Sequence, residues 1–105
     1  MAPFTALADP TRVRIVELLA GGERTAGDIH RHFEASAPAI SQHLRVLREA
    51  QLVRVRPDAQ RRLYSLDPAG FEAIDAWMAR LRRFWGKKLD RLESQLREAK
   101  KKRRS

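Results

Sequence analysis

In the stretch SAPAISQHLRVLR, residues 36–48, a capping-type serine stands two residues before a proline and is followed by Ile40, Leu44 and Leu47 at helical spacing. A serine oxygen at the N-cap takes an amide that the first helical turn leaves without an acceptor. A proline inside that turn removes an N–H that had no intrahelical partner. The spacing therefore predicts a helix over 36–48, with Ala50 continuing the apolar series beyond it. Between the apolar positions lie Ser41, Gln42, Arg45 and Arg48, so one face suits a core and the other offers hydrogen-bonding and cationic groups.

Upstream, Glu34 and Ala35 form a short connection to an earlier helix. Thr25 lies three residues before Asp28, a relative of the capping box, and Ala26, Ile29 and Phe33 follow as an apolar face at i, i+3 and i+7. Asp9 and Pro10 mark another start, as N-cap and first helical residue. The segment TRVRIVELLA then places Val13, Val16, Leu19 and Ala20 at helical spacing, with Ile15 beside them, and Gly21-Gly22 ends it. Residues 3–8 have room for one or two helical turns.

Downstream the period changes. Leu52, Val53 and Val55 are β-type residues, residues 56–60 are polar and turn-like, and Arg62, Tyr64 and Leu66 alternate with Arg61, Leu63 and Ser65. A two-residue period on both sides of a turn predicts a β-hairpin. Without Asn-Gly or Asp-Gly, a longer loop is expected rather than a tight one. Asp67-Pro68 repeats the helix-start signal. Phe71, Ile74, Met78, Leu81, Trp85, Leu89, Leu92, Leu96 and Ala99 then recur mostly three and four apart, with Trp77 and Phe84 widening the stripe. Such a long stripe exceeds what a small helical core needs. Its first half is expected on the chain's own core and its second half on a second subunit.

The elements sum to a mainly α fold with a β-hairpin wing: a winged helix-turn-helix with a long C-terminal dimerisation helix. One domain over 1–99 and a basic tail over 100–105 are expected. At 105 residues the chain suits a single modest core. Its formal net charge is +9: residues 1–66 carry ten Lys/Arg against seven Asp/Glu, and residues 67–105 twelve against six. That balance favours nucleic acid, anionic lipid or an acidic protein. There are no cysteines, which excludes disulfides, thiol redox sensing and Cys-type zinc sites. No signal peptide or membrane span is visible, and a cytoplasmic, non-membrane protein is expected.

The major groove of DNA admits one α-helix and distinguishes all four base pairs there. The 36–48 helix would read bases through Ser41 and Gln42, with Ala37 or Ala39 against a thymine methyl. Ser36, His43, Arg45 and Arg48 would meet the backbone. On the hairpin, Arg54, Arg56, Arg61 and Arg62 suit phosphate or a narrow minor groove. A single module makes few base contacts, so a symmetric dimer on a palindromic site is expected.

The strings ALADPTRVRIVELLAGGERTAGDI, ISQHLRVLREAQLV and RRLYSLDPAGF, within a stretch from about Leu7 to Trp85, resemble the ArsR-type family of winged-helix repressors, in that family's order. The resemblance is to the subgroup without recognised metal sites. It implies a helix-turn-helix over about Thr25–Leu47, a wing over about Val53–Leu66, and repression of the protein's own or a neighbouring gene by promoter occupancy. It also implies dimerisation through the first and last helices, with Phe4, Leu7, Ile74, Trp77, Met78, Leu81, Trp85, Leu89, Leu92 and Leu96 at the interface. Two positions depart from the family pattern. Ala37 stands where arginine is frequent, which bears on site preference. Gln51 stands where glycine is common, and a positive φ there would strain it.

Metal-sensing relatives carry Cys-x-Cys before the recognition helix, where this chain has AGDIHRHF. His30 and His32 are two apart and diverge on a helix, and no histidine follows His43. No metal or cofactor is expected, and the inducer is unidentified. No phosphate loop, nucleophile–base pair or HExxH motif points to an enzyme. Two other readings are a non-specific or architectural DNA binder, and a protein-interaction module using the long basic helix.

Overall fold

Three side chains open three of the helices as the sequence predicts. In the computed structural model, which describes residues 2–104, α1 covers Ala2–Ala6 and α2 covers Pro10–Leu19. The Asp9 carboxylate accepts from the amides of Thr11 (2.8 Å) and Arg12 (3.1 Å) to open α2. Thr25 accepts from Asp28 N at 3.1 Å and opens α3 (Ala26–His30). Ser36 accepts from Ala39 N at 3.3 Å and opens α4 (Ala37–Glu49). Gly22, at φ 135°, turns the chain after α2 where a side chain would be strained.

The hairpin consists of β2 (Val53–Asp58) and β3 (Arg61–Leu66), in antiparallel register from Val53 opposite Leu66 to Asp58 opposite Arg61. Only Ala59 and Gln60 connect them, so the longer loop expected from the sequence is corrected to a two-residue turn. Ala59 supplies the positive φ (55°) that glycine or asparagine usually provides, and the Arg61–Asp58 ion pair (2.8 Å) closes the loop. A third strand, β1 (Arg24–Thr25), pairs with β3 in the sheet order β1-β3-β2. Among the described residues β2 therefore has one unpaired edge, and Pro57 lies on it.

One face of each helix closes on a single core. Ile15, Ile29, Ile40, Leu44, Leu47, Leu52 and Val53 are fully buried, joined by Ala6, Leu19 and Ala50. Removing one such side chain back to alanine typically costs about 2–5 kcal/mol. On α2 the centre of the buried face is Ile15 rather than Val13, and Ala20 is exposed. The last helix, α5, runs Pro68–Arg104. The chain divides into two compact units, residues 1–74 and 75–105, so α5 contributes its first two turns to one unit and the remainder to the other. In the first, Phe71 and Ile74 pack on the core, as do Leu7, Val16 and Tyr64. In the second, Met78, Phe84, Trp85, Leu89, Leu92 and Leu96 are exposed. Of the basic tail, Ser105 lies outside the described residues.

Candidate nucleic-acid interface

Burial of Ile40, Leu44 and Leu47 sets the rotation of α4 about its axis. Ser41, Gln42, Arg45 and Arg48 are thereby exposed, together with Ser36 and Ala37 at the helix start. Ser36 Oγ is engaged as the cap, which leaves its hydroxyl hydrogen for a ligand. Ala39 is half-buried and presents less of its methyl than Ala37. The N-terminus of this helix carries the partial positive charge of its aligned peptides, with Asp and Glu absent from its first turn.

The arginines assigned to the backbone fall into two groups. Arg56 Nε and Nη2 donate to both carboxylate oxygens of Glu23, at 2.8 and 3.0 Å, so the cation is held by a residue just before β1. This fork draws the Glu23 carboxyl below the usual carboxylate range and raises Arg56. Arg61 is paired with Asp58, and Arg45 with Glu49 one turn on (3.2 Å). Arg48, Arg54 and Arg62 are exposed and have no ion pair among the described residues. Arg45, Arg48 and Arg54 line one open groove of about 650 Å³ beside Glu49, Gln51 and Asp67. The helix and the wing strand thus present cations to a common space.

His43 is half-buried on α4, and its Nδ1 lies 3.3 Å from Arg12 Nη1 on α2. Arg12 Nε also donates to the Ala6 carbonyl at 2.6 Å. The other two histidines serve the backbone: His30 Nε2 donates to Ala35 O and His32 Nδ1 to Asp28 O, both at 2.9 Å. Among the described residues no cluster of three or more His, Cys, Asp or Glu is placed to hold a metal ion. No described helix is long and apolar enough to cross a membrane. Asp28 is drawn below the carboxylate range chiefly by its bond from Arg24 (2.8 Å), and Asp9 by the Arg12 amide.

Of the residues expected at a dimer interface, Leu7 and Ile74 pack in part on the chain's own core, and Phe4 is half-buried. Trp77 and Leu81 are half-buried, whereas Leu89, Leu92 and Leu96 are each more than half exposed, at 58%, 52% and 61%. Phe84 and Trp85 meet edge to face (5.2 Å), with the Lys88 ammonium over both rings. Sequence reading missed Arg12, Glu23 and Asp58. Their partners lie across turns or in other elements, and only Asp58, next to the hairpin loop, had a local signal.

Residues 9–55 match the model of the bacterial regulatory protein, arsR family. The HTH-type transcriptional regulator Rv2034 of Mycobacterium tuberculosis is 49% identical over 86 residues, covering 82% of this chain and 78% of that protein. The transcriptional repressor SdpR of Bacillus subtilis is 43% identical over 75 residues, covering 71% and 83%. Among solved structures, the homodimeric winged helix-turn-helix DNA-binding domain Mb0332 of Mycobacterium bovis superposes with a TM-score of 0.61 at 26% identity, covering 79% of this chain and 74% of that one.

Proposed function

The chain belongs to the arsR family of bacterial regulatory proteins, and from that premise we propose that it is a homodimeric transcriptional repressor that binds a palindromic operator. The observation that carries this reading is α4. Its apolar face is locked into the core while Ser41 and Gln42 stand exposed, and Arg48 shares a groove with Arg54 of the wing strand. Gln suits adenine by a bidentate pair, and arginine suits phosphate.

Repression is supported by the likeness to SdpR, and dimerisation by the likeness to the Mb0332 domain together with the exposed Leu89, Leu92 and Leu96. Leucines repeating three and four apart on an exposed helix fit a helix–helix seam. Two copies then place two α4 helices on half-sites about one DNA turn apart.

The test is a fluorescence-anisotropy titration of the protein against its own upstream DNA and a scrambled duplex of equal length, at several salt concentrations. A specific repressor prefers the upstream duplex by about 10³-fold or more. Equal, steeply salt-dependent binding to both would replace this reading with a charge-driven, architectural one. Absence of binding to either would move the assignment to a protein partner.

A further inference from the structure

Arginine has only donors to offer, so the 3.3 Å approach of Arg12 Nη1 to His43 Nδ1 has one productive form. Nδ1 must carry the lone pair, and the ring proton must then sit on Nε2. The guanidinium is not free to swing away, because its Nε is held by the Ala6 carbonyl at 2.6 Å. Its backbone is fixed as well, since the Arg12 amide is one of the two that Asp9 caps. On the other side of the ring, Nε2 has no hydrogen-bond partner among the described residues, although His43 sits on α4 directly after Ser41 and Gln42.

We propose that Arg12 is a positioning residue that holds His43 as its Nε2–H tautomer and so makes that N–H a donor to a phosphate oxygen of bound DNA. The proposal rests on the DNA-binding reading above and adds to it a residue that never touches DNA. Three elements cooperate: α1 supplies the carbonyl that anchors the guanidinium, α2 supplies the arginine, and α4 carries the imidazole. A donor with a preset direction reports where the backbone is, complementing the point charges of Arg48 and Arg54. The arrangement also ties the rotation of the His43 ring to the seating of α1.

The test is a double-mutant cycle on DNA affinity with the full chain: wild type, Arg12→Met, His43→Ala and the double variant, titrated against the same upstream duplex. A hydrogen bond to a charged oxygen predicts a loss of about tenfold for His43→Ala. Arg12→Met should lose affinity by a similar factor in the His43 background and nothing further in the His43→Ala background. A plain charge contribution from Arg12 would persist in both backgrounds, and additive losses would overturn the proposal.

Because Arg12→Met also frees the Ala6 carbonyl, a second measurement stands apart from folding of the variants. Long-range ¹H–¹⁵N spectra of the free wild-type chain, at a pH where the imidazole is neutral, should show His43 protonated at Nε2 alone. A substantial Nδ1–H population would overturn the proposal without any DNA present. A wild-type chain that binds no duplex sinks the DNA reading itself. One that binds while the substitutions act independently sinks only the role of Arg12.

Discussion

The amide of Gly70 donates to the carbonyl of Gln51 at 2.8 Å, and a Cβ on Gly70 would stand 2.5 Å from that same oxygen and 2.7 Å from Leu52 Cδ2. The contact joins the exit of α4 to the first turn of α5. Leu52 reinforces it, donating to Leu47 O (3.0 Å) and accepting from Asp67 N (2.9 Å). The C-terminal end of α4 is thereby clamped to the start of α5 by backbone hydrogen bonds.

Gly70→Ala should therefore destabilise the fold by about 1–3 kcal/mol, the usual cost of forcing a methyl into a filled site. The obstacle is largely backbone, which cannot rotate away, so the upper end is expected. Urea unfolding followed by circular dichroism measures it; a midpoint equal to wild type would show that the two segments separate freely.

Gln51 and Ala59 hold φ values of 60° and 55° without being glycine. Gln51→Gly and Ala59→Gly should each stabilise the chain by roughly 1 kcal/mol, because the left-handed conformation costs a Cβ-bearing residue about that much. The gain at Ala59 is expected in the hairpin, detectable as slower amide exchange in β2 and β3. A loss of stability in both variants would contradict the strain argument.

Arg62→Ala should lower the slope of log affinity against log salt by about one, the signature of one lost phosphate contact. Arg56→Ala should change that slope by less, since its guanidinium is already held by Glu23. Gln42→Ala should instead alter preference at one or two base positions, by about 1–3 kcal/mol. Anisotropy titrations on matched and substituted duplexes separate the three. Equal losses on every sequence for Gln42→Ala would remove it from base reading.

Asp9, Glu23 and Asp28 all have carboxyls held below their ordinary range, so the folded chain binds fewer protons than the unfolded chain as pH falls through that range. Their contribution is complete above the unfolded values near pH 4 and is lost as pH falls through the lower folded values. The melting temperature should be insensitive to these groups above about pH 5 and fall below about pH 4. Asp9→Asn keeps a good N-cap and should weaken the acid dependence. A melting temperature unchanged down to pH 2.5 would show that the three carboxylates contribute nothing.

Leu92→Glu should shift the protein from dimer to monomer in sedimentation equilibrium while the fold of residues 1–74 persists, because the leucine is 52% exposed and belongs to the second unit. Operator binding should weaken with it. A dimer of undiminished strength would place the seam elsewhere.

Much of this was legible in the chain because the signals were local. Asp9, Thr25 and Ser36 each cap the helix that their position announces, and Ile40, Leu44 and Leu47 bury as their spacing requires. The strain at Gln51 was legible only through the family resemblance, which puts glycine at that position. What escaped depends on distant partners. β1 is two residues long and exists only through pairing with β3. Glu23 meets Arg56 across 33 positions, and Gly70 is required by a backbone 19 positions earlier, as the chain's numbering shows. The tight hairpin loop escaped because Ala59 takes a conformation its residue type disfavours.

The unpaired edge of β2 has a bearing on crowding. Strand edges recruit other strands, and a protein gathered in many copies along one stretch of DNA would bring such edges within reach of each other. Pro57 interrupts the row of amides that a neighbouring strand would need, and the exposed Arg54 adds like charge to each copy of the strand. The wing is in this sense self-avoiding: its outer edge is a poor template for a further strand.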